Sequence, residues 1–190
     1  MCDRQKKEWK KLGSKLILKT PWLEISKNIF RLPDGKIIQD YYLIKKPTSV
    51  HFMAITEENK IILIKQYRPG AERATISVPA GYVDKDETLE QACQREMAEE
   101  IGYRAENLLE ITQITEGSDR FVGFPCHLFM AWNLVKIENR KLDAEAEEIN
   151  IIEISVEEAI KMIERKKIKG AFAIAAIFLA QRFIKKKKVK

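Results

Sequence analysis

The stretch that decides the fold is GYVDKDETLEQACQREMAEEIGY, residues 81–103. Its second half predicts a helix over 88–101, because Thr88 followed by Gln91 has the spacing of a capping box. Gly102 then occupies the position at which many helices end with a residue in the left-handed conformation. The stretch therefore predicts a loop that leads into a helix whose two ends are both marked in the sequence.

Two carboxylates of this helix are predicted to point toward the body of the protein. At about 100° per residue, four apolar side chains form a stripe that packs on a core. The stripe consists of Leu89, Cys93, Met97 and Ile101. Glu96 and Glu100 lie on either side of the direction of Leu89, whereas Arg95 points away from that pair and cannot easily neutralise both. Because a buried, unpaired carboxylate costs several kcal/mol, either one of the two is protonated or a cation is bound beside them.

The sequence favours oxygen ligands for such a cation. Its two histidines, His51 and His127, are far apart, and its three cysteines form no CxxC pair. Oxygen ligands without nitrogen or sulfur select hard ions, here Mg2+ or Mn2+. The alternative is that EMAEE, residues 96–100, is an acidic helical face in contact with solvent.

The spacing of glycines and charges in residues 81–103 resembles the signature of the Nudix hydrolases. That signature is Gly, five spacers, Glu, seven spacers, and then Arg-Glu-aliphatic-any-Glu-Glu-any-Gly-aliphatic. The seven matching positions are Gly81, Glu87, Arg95, Glu96, Glu99, Glu100 and Gly102. Tyr103 stands where an aliphatic residue is usual, so we expect a change of packing there and none of chemistry. The resemblance implies an α/β fold in which a mixed sheet is sandwiched between helices, with an antiparallel strand segment before it.

The resemblance also implies a role for each matched residue. Glu96, Glu99 and Glu100 would bind Mg2+ or Mn2+ together with the carbonyl group of Ala80, and Glu99 and Glu100 would count among the catalytic residues. An ion pair between Glu87 and Arg95 would hold the loop to the helix. The structural residues of the motif would be Gly81, Glu87, Arg95 and Gly102.

The flanking sequence narrows the resemblance to one branch of the family. KIILIKQYRPGAERATISVPAGYVDKDET, residues 60–88, is similar to the ADP-ribose pyrophosphatases and nucleoside-diphosphate-sugar hydrolases. In that branch the N-terminal strands exchange between two subunits, which implies a homodimer. Arg68 would lie near the substrate, and Trp22 would stack on a nucleobase bound by the partner subunit. The alternatives are a strand-end arginine in solvent and a tryptophan in a core or an interface.

Two further segments carry candidate substrate and catalytic residues. In this branch the catalytic base comes from an acidic loop, here residues 143–148, and the match favours Glu147 over the neighbouring Glu145 and Glu148. Ser118 and Arg120 lie where the substrate loop is expected. Asp119 occupies the position of a proline that ADP-ribose enzymes commonly carry, so the preference for sugar or base is open.

The rest of the chain alternates short apolar segments with turn signals. Residues 14–50 predict antiparallel strands with a turn at Pro33-Asp34-Gly35. The predicted later strands are 50–56, 61–64, 109–116, 126–135 and 149–154, and the predicted later helices begin at Ser155 and about Ala171. We divide the chain into a basic segment 1–13, dimer-forming strands 14–49, a hydrolase domain 50–184 and a lysine-rich tail 185–190.

The net charge of +6 belongs to the ends of the chain. Residues 1–19 and 185–190 each contribute +5, so the remainder carries −4. We expect solvated tails, the alternative being contact with nucleic acid or an anionic surface. The odd number of cysteines and the absence of an apolar run near the N-terminus predict a cytoplasmic protein with no membrane partner.

The resemblance and the residues together predict a Mg2+-dependent hydrolase of nucleoside-diphosphate sugars. ADP-ribose is the first candidate substrate, with AMP and ribose 5-phosphate as products. The alternatives within the family are another sugar nucleotide, a dinucleotide, a damaged nucleoside triphosphate, and binding of a nucleotide without catalysis. Processing of RNA with the help of the basic tails lacks the aromatic residues of a strand-binding groove.

Overall fold

The computed structural model describes residues 8–116, 124–138 and 149–187. The chain divides into two compact units. The first comprises Met1–Thr48 with Thr115–Pro125, and the second comprises Ser49–Ile114 with Cys126–Lys190. Within the described residues, no helix combines the length and the apolar character needed to cross a membrane.

The first unit contains a three-stranded antiparallel sheet. Its strands, in spatial as well as chain order, are β1 (Lys10–Lys19), β2 (Glu24–Arg31) and β3 (Ile37–Lys45). The predicted turn between β2 and β3 is confirmed, because Gly35 adopts a φ of +89° and its N–H donates to the carbonyl oxygen of Leu32 at 2.9 Å. Asn28, on the central strand, is fully buried and accepts a hydrogen bond from the hydroxyl of Ser14 at 2.8 Å.

The second unit contains a seven-stranded mixed sheet. Its strands are β4 (Ser49–Ile55), β5 (Ile61–Arg68), β6 (Arg73–Ser77), β7 (Ala80–Tyr82), β8 (Tyr103–Glu116), β9 (Phe124–Lys136) and β10 (Asn150–Ile154). The main spatial order is β10-β5-β4-β9-β8, with β6 paired to β5 and β7 paired to β4. Strands β4 and β9 are parallel, whereas β4 is antiparallel to β5 and to β7. The predicted central position of the apolar strand at 61–64 is confirmed.

The described residues of the second unit form three α-helices, and two of them start as the sequence predicts. They are α1 (Leu89–Glu96), α2 (Val156–Glu164) and α3 (Ala171–Lys187). Thr88 and Gln91 form a complete capping box before α1, as Ser155 and Glu158 do before α2. The sequence did not predict that α1 continues into a five-residue π-helical turn, Met97–Ile101. Gly102 ends this turn with a φ of +73°.

The helices lie on opposite faces of the seven-stranded sheet, which confirms the predicted sandwich. Val50 and Phe52 of β4 share a buried cluster with Cys93 and Met97, so α1 and its π turn pack on one face. Alternate residues of a strand point to opposite faces. His51, which lies between Val50 and Phe52, stacks on Phe172 of α3. Helix α3 therefore packs on the other face.

Candidate active site

Strand β7 and the end of α1 bring two carboxylates against neighbouring backbone positions. A Cβ atom built on Gly81 would overlap the carboxyl group of Glu96, so a residue with a side chain would displace that group. The N–H of Ala80 donates to Oε2 of Glu100 at 2.8 Å, and Glu100 is only 8% exposed. The two carboxylates predicted to point inward therefore lie beside consecutive residues of one strand.

Arg95 connects the loop before the helix to the helix itself. Its Nε and Nη2 donate to the two carboxylate oxygens of Glu87, each at 3.0 Å. Nη1 donates to Oε1 of Glu96 at 2.7 Å and to Oε2 of Glu99 at 3.1 Å, and Nη2 also donates to the carbonyl oxygen of Tyr82 at 2.9 Å. The planar guanidinium suits this bidentate arrangement with Glu87.

One partner of Arg95 differs from the prediction. On a helical wheel the arginine points well away from Glu96, whereas in the structure the two residues form an ion pair. The reason is that a wheel records the direction of Cβ and not the reach of a long side chain, which here turns along the helix surface. The bonds from Arg95 to the motif carboxylates go to Glu87, Glu96 and Glu99.

The surroundings shift the proton affinity of these groups in opposite directions. Burial raises the pKa of Glu96, although its bond to Arg95 acts in the other direction. The hydrogen bonds from Arg95 lower the pKa of Glu87, and the same bonds raise the pKa of Arg95. Glu87 and Arg95 are thus a stable ion pair, whereas Glu96 is held in surroundings that disfavour an isolated negative charge.

The chemistry of the donor set fits a hard divalent cation. Glu96, Glu99 and Glu100 supply carboxylate oxygens from about one turn of helix, and all three are partly or largely buried. In the part of the chain that the structure describes, no three acidic, histidine or cysteine side chains converge on one point. Glu96 and Glu99 instead share Nη1 of Arg95. A cation bound by all three would therefore replace that guanidinium contact.

A groove of about 880 Å³ lies along the adjoining side of the helix. It is lined by Arg95 and Glu99 and extends to Arg104 and Leu108 on β8. Glu96 and Glu100 do not line it, so the groove meets the predicted ligand set only at Glu99.

The other predicted site residues are distributed over both units and beyond the described residues. Arg68 is exposed at the end of β5, and Tyr103 packs against the core beneath α1. Trp22 lies in the first unit, in the turn between β1 and β2, with 64% of its surface exposed. The predictions that fall outside the described residues are those for Ser118, Asp119, Arg120, Glu145, Glu147 and Glu148.

Sequence reasoning missed one residue that holds the helix in place. The side-chain amide of Gln94 donates to the carbonyl oxygen of Ala105 at 2.7 Å and accepts from the N–H of the same residue at 3.1 Å. This paired contact joins α1 to β8 directly. The motif has a spacer at Gln94, and no periodicity in the sequence indicates which strand a glutamine on this helix contacts.

Comparison with known proteins identifies both parts of the chain. A family model described as the NUDIX domain matches residues 45–173, and one described as the nucleoside diphosphate sugar hydrolase N-terminal domain matches residues 9–44. The ADP-ribose pyrophosphatase of Bacillus subtilis (strain 168) is 35% identical over 153 residues, covering 79% of this chain and 82% of that protein. The methanol dehydrogenase activator of Bacillus methanolicus is 32% identical over 146 residues, covering 77% and 78%.

A solved structure agrees with the fold over nearly the whole chain. The crystal structure of an ADP compounds hydrolase superposes with a TM-score of 0.81, covering 95% of this chain and 96% of that one. The sequence identity is 19%, so this similarity concerns the fold.

Proposed function

Because the chain belongs to the Nudix hydrolase family, we propose that it hydrolyses the diphosphate bond of nucleoside-diphosphate sugars, with ADP-ribose as the first substrate. The observation that carries this proposal is the placement of Glu96 over Gly81 and of Glu100 against the N–H of Ala80, with Glu99 joined to Glu96 through Nη1 of Arg95. Buried carboxylates add little to the stability of a core, and these three suit a site for a cation and a diphosphate.

A divalent ion, which we propose to be Mg2+, would be held by Glu96, Glu99 and Glu100 with the carbonyl group of Ala80. When bound, such an ion neutralises the diphosphate and lowers the pKa of an attacking water. The other steps depend on the protein. Arg95 fixes the loop and the helix relative to each other through Glu87, so that the carboxylates keep their positions. Water adds to one phosphorus atom as the bond from that atom to the bridging oxygen breaks, giving AMP and ribose 5-phosphate.

The choice of substrate is supported by the relatives and by the N-terminal segment. The Bacillus subtilis relative is named ADP-ribose pyrophosphatase, and a mouse relative, 28% identical over 105 residues, is named ADP-sugar pyrophosphatase. The match of residues 9–44 to the N-terminal domain of nucleoside diphosphate sugar hydrolases points to the same class. We propose that Glu147 removes the proton from water and that Arg68, Ser118, Arg120 and Trp22 contact the substrate.

A homodimer and a cytoplasmic location are further parts of the proposal. The first unit exposes a set of large apolar side chains that an isolated chain leaves in water, and this supports a dimer formed by its strands. The most exposed of them are Trp22, Leu16, Ile17 and Trp9. The site that contains Trp22 would then be completed by a second subunit.

The test is a substrate panel with purified protein, with Mg2+ and with a chelator. We expect ADP-ribose to be cleaved only with the metal, and Glu100→Gln to lower turnover by at least about 100-fold, or about 2.7 kcal/mol of barrier. Glu164→Gln makes the same change at an exposed position of α2 and should keep full turnover. Full activity in chelator, or in Glu100→Gln, would refute the proposal.

A further inference from the structure

Strands β7, β4 and β9 place three residues in a row across the sheet of the second unit. Gly81 of β7 pairs with Val50 of β4, and Val50 pairs with His127 of β9. Residues paired across neighbouring strands present their side chains to the same face. The Glu96 carboxyl group over Gly81 marks that face as the one that carries the proposed site. His127 therefore lies on the face of the carboxylate cluster, two strands or about 10 Å from Gly81.

The row continues to an acidic residue on the next strand. Oε1 of Glu110, on β8, lies 2.7 Å from Nδ1 of His127. Because an ionised carboxylate only accepts hydrogen bonds, we assign the ring proton to Nδ1, which donates a hydrogen bond to Oε1 of Glu110. In the neutral ring, Nε2 is then an acceptor that is available to a second partner. The His127 side chain is 16% exposed and that of Glu110 is 40% exposed, so the row runs from beneath α1 toward solvent.

We infer that His127 binds the substrate of the proposed hydrolase through Nε2, which accepts a hydrogen bond from a ribose hydroxyl, and that Glu110 is its positioning residue. The inference rests on the proposed function. An acceptor nitrogen next to a carboxylate repels phosphate oxygens and attracts hydroxyl donors. A nucleoside-diphosphate sugar carries hydroxyls on both sides of its diphosphate. Val50, between Gly81 and His127, is fully buried, so a ribose attached to a diphosphate at Glu96 and Glu100 would approach His127 from its exposed side.

Steady-state kinetics on three substrates test this assignment and show which ribose is bound. The substrates are ADP-ribose, the β-methyl ester of ADP, which lacks the terminal ribose, and ADP-ribose with a 2′,3′-dideoxy nucleoside. We expect His127→Phe to raise KM for ADP-ribose about tenfold with little change in kcat. The same change should leave KM unaltered for the one analogue that lacks the bound hydroxyl.

Two further variants separate binding from a structural effect of the same pair. His127→Gln keeps an acceptor near the position of Nε2 and should restore KM to within about threefold of the wild-type value. As a single variant, Glu110→Ala should raise KM for the same substrates as His127→Phe does. Combined with His127→Phe it should add little, because Glu110 acts through the histidine. If His127→Phe does not fold, His127→Asn, whose amide does not extend to Nε2, takes its place.

The outcomes distinguish this inference from the proposed function. An unchanged KM, or an equal increase for all three substrates, would overturn the role of His127 while cleavage by the wild-type protein stands. Failure of the wild-type protein to cleave any diphosphate sugar would instead overturn the proposed function.

Discussion

The two faces of the seven-stranded sheet use the same strands for different purposes. The face under α1 carries ion pairs in which one arginine, Arg95, meets Glu87, Glu96 and Glu99. The face under α3 is closed by small and apolar side chains that are 0–1% exposed. Among these are Ala173, Ala176, Ile177 and Ala180. Both faces therefore exclude water from an apolar interior, and the α1 face in addition holds charged groups in a fixed geometry.

The two histidines, His51 and His127, lie on opposite faces of the sheet although their strand positions differ by only one residue. His51 on β4 points to the α3 face, stacks on Phe172 with ring centroids 3.9 Å apart, and contacts the hydroxyl of Ser49 through Nε2 at 3.2 Å. Its Nδ1 is buried without a hydrogen-bond partner among the described residues, and burial lowers its pKa to about 4. His127 lies beside Val50, one position from His51, yet has a carboxylate partner. A step of one residue along a strand thus decides between a neutral, packed imidazole and a polar one.

The largest effect is expected when the positive charge of Arg95 is removed from the α1 face. Arg95→Met leaves three partly buried carboxylates without their partner, and we expect the free energy of unfolding to fall by about 4 kcal/mol. Arg104→Met removes the same charge from an exposed position on β8 and should change stability by less than about 0.5 kcal/mol. Urea unfolding measures both. Equal losses in the two variants would mean that the network on this face contributes no particular stability.

On the α3 face, the largely buried His51 should make the free energy of unfolding depend on pH. The unfolded chain binds a proton on His51 near its ordinary pKa of 6.5, whereas the folded protein does so only near pH 4. Stability therefore falls as the pH drops through this window, by about 3 kcal/mol from this group. In His51→Gln that part of the pH dependence should disappear.

His127→Gln, which removes the other histidine, is the matched control for this measurement and should keep the loss between pH 6.5 and 4. Urea unfolding at several pH values gives the curves. Identical curves for wild type and His51→Gln would show that His51 is protonated in the folded protein without cost.

The two capping boxes allow the same substitution at the helix of the proposed site and at a helix that packs on α3. Thr88→Ala at α1 and Ser155→Ala at α2 each remove a side-chain bond to a helix N–H, and each should cost about 1 kcal/mol of stability. Only Thr88→Ala should also lower turnover, by about threefold, because α1 carries Glu96. A greater loss of turnover in Ser155→Ala would contradict the assignment of catalysis to α1.

The smallest effect is expected at the end of α3. Deletion of residues 185–190 removes the exposed Lys185 and Lys186 with the four residues that follow them. It should change the free energy of unfolding by less than about 0.5 kcal/mol and turnover by less than twofold. A larger loss of turnover would show that the basic tail takes part in substrate binding. Thermal unfolding and the ADP-ribose assay measure the two quantities.

Local rules predicted much of the fold, because each of the correct features depends on neighbours in sequence. The capping boxes at Thr88 and Ser155, the turn at Gly35 and the left-handed Gly102 follow from backbone conformation and a side chain three residues away. The ion pair between Glu87 and Arg95 followed from the resemblance to a family.

The features that the sequence did not predict depend on the conformation of long side chains and on the register of paired strands. The bond from Arg95 to Glu96 depends on how a long side chain turns, and a wheel with a fixed angle per residue does not describe the π turn at 97–101. The contact between Glu110 and His127 requires the pairing of two strands whose partners are 17 residues apart. Spacing along the chain carries no information on that pairing.

Strand β4 has a further consequence for how the molecule assembles. Its pairing with β7 and with β9 brings Gly81, Val50 and His127 into one line. If β4 shifted by a single residue during folding, every one of its side chains would exchange faces. His51 would then be brought up against the acidic helix, and Val50 would occupy the imidazole's place against Phe172. The alignment of this strand is therefore the step at which a misassembled chain would lose its hydrophobic interior and its acidic cleft at the same time.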